Sequence, residues 1–146
     1  MTRRAILKIL PQGPAYAGVP GSTAVLVEMA PWYDLIGMHR HHHVDQLTVV
    51  LSGEMSFREE GDAGWRVLRR GQSRFFPRGT AHHLLSRSNR SARALVVLSP
   101  GSVPTLYFAE LLQAIEASDP PDRDWIVEIM RRHDTELLPD GLVQPV

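Results

Sequence analysis

The chain contains no cysteine among its 146 residues. That absence removes a disulfide framework, a thiolate nucleophile and any sulfur-based metal site, so a bound metal would have to be held through nitrogen and oxygen donors. The chain also lacks an excess charge of either sign: 16 basic side chains balance 16 acidic ones, and the pI is about 7.1. A neutral balance gives no electrostatic reason to bind nucleic acid or an anionic membrane, and neither is expected as a partner. The pairs Arg3-Arg4, Arg69-Arg70 and Arg131-Arg132 are isolated in sequence and read as solvated surface. Long apolar runs are missing too, and the longest are well short of a membrane-spanning helix. The stretch after the first arginines is broken by Lys8 and Pro11, which does not suit a signal segment. Together these absences lead to the expectation of a soluble, cytoplasmic protein.

What is present is a series of short segments rich in Val, Leu, Phe and Thr, divided by glycine and proline. Strands are predicted at Arg4–Leu10, Thr23–Met29, Gln46–Ser52, Met55–Glu59, Trp65–Leu68, Ser73–Pro77, Ala81–Ser86 and Arg93–Ser99. Such spacing suggests an antiparallel sandwich or barrel. After Pro100-Gly101 the pattern becomes helical. Leu106, Leu111, Leu112 and Ile115 predict a helix from Pro104 to about Ala117, which Pro120-Pro121 ends. Asp122 can cap a second helix to about His133, with Trp125, Ile126, Ile129 and Met130 as its apolar stripe. The expected organisation is one domain over residues 1–146. An all-β core spans about residues 4–100, and a helical extension over about 104–138 packs on its outside.

Two constellations carry chemistry. The first is His39-x-His41, four residues, Gln46, six residues, Gly53; the second is Gly71, five residues, Pro77-x-Gly79, two residues, His82, three residues, Ser86. On an extended segment positions i and i+2 share a face, so His39 and His41 can both point inward, and His82 can meet them from a later strand. His43 shares their parity and could face pocket or surface. His42 and His83 have the opposite parity and are not expected as ligands. His133, near a helix C-terminus, reads as structural.

These two constellations resemble the paired motifs of the cupin superfamily, and the resemblance covers roughly Thr23 to Ser99. The second matches at every spacing, with Ser86 where an asparagine is usual. The first departs where the family has glutamate, because this chain has Gln46, and the usual upstream glycine is out of register, with Tyr33 there and Gly37 nearby. The resemblance implies a cupin-type antiparallel β-barrel, or jelly roll, with a divalent metal held by His39, His41, Gln46 and His82. Zinc comes first, with iron, nickel and copper as alternatives. An amide brings no negative charge to the metal and accepts no proton, which shifts the balance toward Lewis-acid chemistry.

Among small single-domain cupins the chain is most similar to polyketide cyclases of the tetracenomycin and resistomycin type. That resemblance implies aldol-type ring closure of a poly-β-keto substrate, free or carrier-protein-bound, in antibiotic biosynthesis. His43 is then the candidate base, and Phe57, Phe75, Phe76, Trp32, Tyr33 and Met38 are candidate lining residues. It also suggests a homodimer, with the first strand as a shared edge. The competing readings are a quercetinase-like or diketone-cleaving dioxygenase, a non-catalytic small-molecule-binding cupin and an isomerase or epimerase.

Overall fold

The structure is a computed structural model that describes residues 5–10, 15–16, 19–34 and 36–139; Arg3, Arg4 and Pro11, named above, lie outside them. The strands are β1 (Ala5–Ile9), β2 (Ala15–Tyr16), β3 (Val19–Pro20), β4 (Thr23–Met29), β5 (His39–His41), β6 (Asp45–Ser52), β7 (Glu54–Glu59), β8 (Arg66–Arg69), β9 (Ser73–Phe76), β10 (His82–Leu85) and β11 (Ala92–Ser99). Helices α1 (Thr105–Ala117) and α2 (Arg123–Arg132) follow, and a final strand β12 (Thr135–Leu137) returns to the sheets.

Two five-stranded antiparallel sheets face each other as a jelly roll. One has the order β1-β4-β11-β6-β9, the other β12-β5-β10-β7-β8, and β2 and β3 form a separate hairpin. Alternation explains how the sheets close. In β6, Gln46, Thr48 and Val50 are buried while Leu47 and Leu51 are exposed, the period-two pattern of a strand with one face in the core. β4 and β11 alternate in the same way over part of their length, and β11 pairs with both β4 and β6 at the centre of its sheet. β1 lies at a sheet edge and pairs with β4 of its own chain, Ala5 opposite Met29.

The helices differ from expectation in one important respect. They do not sit on the outside of a finished core. Tyr107, Phe108, Leu111 and Ala114 of α1, with Ile126, Ile129 and Met130 of α2, belong to the same buried cluster as Val25, Val27, Met29 and Leu98 of the sheets. The buried stripe of α1 is therefore turned from the predicted one, and Leu106 is 57% exposed. Bulky aromatics at 107 and 108 bury more apolar surface than Leu106 could, and that decides which face turns inward. Asp122 caps α2 as expected, accepting from the Trp125 backbone N–H at 3.2 Å. No helix among the described residues is long and apolar enough to cross a membrane.

Candidate metal centre

The two sheets bring the sequence-distant histidines together. β5 is only three residues long, and its burial pattern puts His39 and His41 inward with Arg40 between them, half-buried on the other face. His82 opens β10 directly opposite His39. Gln46, near the start of β6, reaches toward them from the facing sheet. The bend at Pro77–Gly79 is tied to the histidine strand by the Gly79 N–H, which donates to the His41 carbonyl at 2.7 Å.

His39, His41 and His82 are buried, and each offers a ring nitrogen within 4.8 Å of the others. The outer nitrogen of each ring meets an oxygen. His39 Nδ1 donates to the Gly37 carbonyl at 2.8 Å and His82 Nδ1 to the Thr80 carbonyl at 3.1 Å. His41 Nδ1 donates to Thr135 Oγ1 at 2.9 Å, while the Thr135 hydroxyl itself donates to the His133 carbonyl at 3.2 Å. A carbonyl can only accept, and Thr135 has spent its proton, so each imidazole carries its hydrogen on Nδ1 and presents the Nε2 lone pair inward. This is the outer support that metal-ligating histidines normally have.

Gln46 completes the set. Its Oε1 lies 3.1 Å from both His41 Nε2 and His82 Nε2, and its Nε2 donates to Thr48 Oγ1 at 3.1 Å. Three imidazole lone pairs and an amide oxygen thus converge with no proton among them, an arrangement that a cation satisfies. An amide can also turn over and donate its NH2 to the same two nitrogens. The residues fit a divalent metal, and Gln46 can satisfy the site with or without one.

Electrostatics keep the rings in the ligand form. Burial lowers His39 from 6.5 to about 4, only partly offset by its bond to Gly37. Burial, reinforced by neighbouring His39, lowers His41 to about 3, and burial also holds His82 well below its usual value. The His82 ring is further fixed by stacking on Phe76, with centroids 4.3 Å apart and planes 16° from parallel.

The centre opens on a cavity of about 80 Å³ whose walls are almost wholly hydrocarbon, including Val27, Met29, Leu98, Phe108 and Leu111. The polar residues among its lining are His39, His41, Gln46, Thr48 and Tyr107. Among the described residues, no carboxylate and no positively charged side chain lines it.

Several expected residues lie elsewhere. His43 does not face the cavity: its side chain is 80% exposed and its ring nitrogen bonds Asp134 Oδ1 at 2.7 Å. The physical reason is that β5 ends at His41, so the parity argument stops there; Asp134, at the α2–β12 turn, also accepts the His43 backbone N–H. His42 is exposed beside Glu136 at 3.2 Å. His83 points away from the centre, fully buried and paired with Asp34 at 2.9 Å. His133 caps the end of α2. None of the six proposed lining residues is in the cavity wall. Phe75 and Trp32 are exposed, Met38 packs with Ala81 and Leu138, and Phe57 and Phe76 lie behind the histidines in the core. Helix α1 takes their place as the roof. Three contributors were missed: Thr48, which the i, i+2 relation to Gln46 signals, and Tyr107 and Thr135, which no local pattern signals.

A family model described as the cupin domain matches residues 25–98, half of the chain. The chain is a member of the cupin family. No curated protein matches this cupin. Among solved structures it is similar to KdgF from Halomonas sp., with 22% identity and a TM-score of 0.54 over 68% of this chain and 82% of that one. It is similar to a cupin-superfamily sugar phosphate isomerase from Silicibacter pomeroyi, with 24% identity and a TM-score of 0.51, covering 56% of this chain and 52% of that one. The DMSP lyase DddQ from Ruegeria pomeroyi is 26% identical, with a TM-score of 0.52, over 66% of this chain and 47% of that one. The chain therefore spans about half the length of the isomerase and the lyase.

Proposed function

We propose that this cupin is a divalent-metal enzyme, with zinc first among the ions, that activates the carbon next to a carbonyl group in a small, mostly apolar substrate. The observation that carries the reading is the composition of the cavity. Three neutral imidazoles and one neutral amide converge at one end, and hydrocarbon surrounds them, without a carboxylate among the described residues. A divalent ion held by His39, His41, His82 and Gln46 would keep its full charge there and supply Lewis acidity toward a carbonyl oxygen. The side chains then bind, orient and exclude. The apolar walls keep water from the reacting carbon and strengthen every polar contact inside. The Tyr107 hydroxyl is buried in the roof; it faces Thr135 without making a hydrogen bond of ordinary geometry, and burial holds its proton.

Size narrows the substrate. An engineered cavity of roughly 150 Å³ takes a benzene molecule, so about 80 Å³ suits a few-carbon unit. Ring closure of a polyketide, the activity implied by the cyclase resemblance, fits this cavity if the reacting keto unit alone enters it. Elimination or isomerisation of a small carbonyl compound uses the same activated carbon, and the likeness to a lyase supports that wider class.

The test is deuterium uptake from D2O into small ketones and keto acids, read by NMR with metal content measured in parallel. Stoichiometric zinc, with uptake abolished by chelation or by His41→Ala, is the expected result. Uptake indifferent to both would overturn the reading, and oxygen consumption with bound iron would move it to a dioxygenase.

A further inference from the structure

The arginine pair Arg69-Arg70 looks isolated in the sequence, but the fold surrounds it. A surface groove of about 670 Å³ lies between the turn at Ser52–Glu54, the end of β8 and the segment Arg87–Arg90 that follows β10. Four arginines, 69, 70, 87 and 90, line it against a single acidic residue, Glu54. Glu54 lies 3.9 Å from Arg69, and among the described residues Arg70, Arg87 and Arg90 have no carboxylate partner. In a chain of zero net charge, three arginines without a carboxylate partner at one groove form a local positive field suited to an anion; Arg70 and Arg90 are exposed, and the Arg87 guanidinium also lies over the Trp65 ring, 5.3 Å from its centroid. The Arg87 Nε is buried without a hydrogen-bond partner.

Trp32 completes the groove. Its backbone sits at φ 54°, a left-handed conformation that a bulky residue occupies only at a cost. The strain is held in place by the indole N–H, which donates to Asn89 Oδ1 at 2.8 Å, and the residue is left 50% exposed. The floor is also fixed. A Cβ at Gly53, whose φ is 68°, would meet the Ser91 carbonyl oxygen at 2.5 Å, so only glycine lets this turn lie against the 91–92 backbone. A rigid groove thus presents guanidinium groups beside a pinned aromatic face. It is remote from the histidines: Gln46 is near the start of β6 and Ser52 at its end, a strand length of roughly 20 Å.

We propose that this groove is a second ligand site, for a small phosphate ester that carries a flat ring. The arginines bind the phosphate as planar donors, and the ring lies on Trp32. The volume falls within the range of roughly 300–1,000 Å³ typical of ligand sites. The proposal does not depend on the metal centre.

Adenosine monophosphate is the probe, titrated into the full chain while tryptophan emission is followed, with adenosine and inorganic phosphate as separate ligands. Saturable quenching with a Kd on the order of 0.1 mM is expected for the monophosphate, and at least about tenfold weaker binding for either control. Arg70→Glu and Arg90→Glu, both at exposed positions, should each raise the Kd about tenfold or more, and Trp32→Phe should remove most of the quench. Absence of saturation overturns the site, as does a Kd unchanged in both arginine variants, which would place the probe elsewhere. Inorganic phosphate binding as tightly as the monophosphate overturns the ring contact.

Discussion

Replacing Thr135 by valine tests how the metal centre is built. The threonine comes from β12, outside the matched family segment, yet its Oγ1 is the acceptor for His41 Nδ1. Valine is nearly the same shape, so packing at this 3% exposed position should survive while the hydrogen bonds do not. The His41 Nδ1–H and the His133 carbonyl each lose a partner, at a cost of roughly 1–3 kcal/mol per buried group left unsatisfied. His41 has a way to recover part of that cost. It can move its proton to Nε2 and donate to Gln46 Oε1, already 3.1 Å away. That tautomer presents no lone pair to a metal. Binding must then reverse the proton shift and re-expose the orphaned Nδ1–H, so zinc affinity should fall about tenfold to a hundredfold, or about 1.4–2.7 kcal/mol. Competition against a zinc chelator gives the affinity, circular dichroism checks the fold, and Thr135→Ser should restore binding because it restores the acceptor. Zinc binding by the folded valine variant within about twofold of the wild type would refute this role of Thr135.

Gln46→Glu should retain the metal, bind it more tightly and lower the proposed ketone exchange by about tenfold, because a carboxylate neutralises part of the charge that polarises the carbonyl; an equal or faster exchange would speak against Lewis-acid work. Acid should destabilise the metal-free protein in a defined window. An unfolded histidine titrates at 6.5, whereas the folded protein holds His39 near 4, His41 near 3 and His82 well below 6.5. The unfolded state therefore binds more protons below pH 6.5, and stability is intact above that value and declines toward pH 4, by up to about 1.4 kcal/mol per pH unit for each histidine. Thermal melts at pH 7.5, 6 and 5 in chelator read it out, and a pH-independent Tm would contradict the burial of neutral rings. His43→Ala should leave metal affinity and exchange within about twofold and cost less than about 1 kcal/mol of stability, since its bond to Asp134 is at the surface; a tenfold loss of exchange would return it to the site.

Most strands of the two sheets, the two helices and the histidine spacing are legible in the sequence because each depends on local periodicity and turn chemistry. Among the strands expected, Thr23–Met29 matches to the residue and the others to within a residue or two, whereas β5 and β12 are not among them. The parity of His39 and His41 is a property of any extended chain, and so is the shared face of Gln46 and Thr48. What the sequence could not show was everything set by a return of the chain. β5 and β12 are three residues each and too short to carry a pattern, yet their pairing puts Thr135 beside His41. The end of β5 turned His43 outward, and the burial of Tyr107 and Phe108 made α1 a roof instead of an external layer. Arg70 and Arg90, twenty residues apart, share a groove only because Gly53 lets two turns touch. Local sequence determined which atoms could serve as ligands; only tertiary pairing decided which oxygen holds each ligand and what closes over them, since those contacts join residues that no repeat or spacing links.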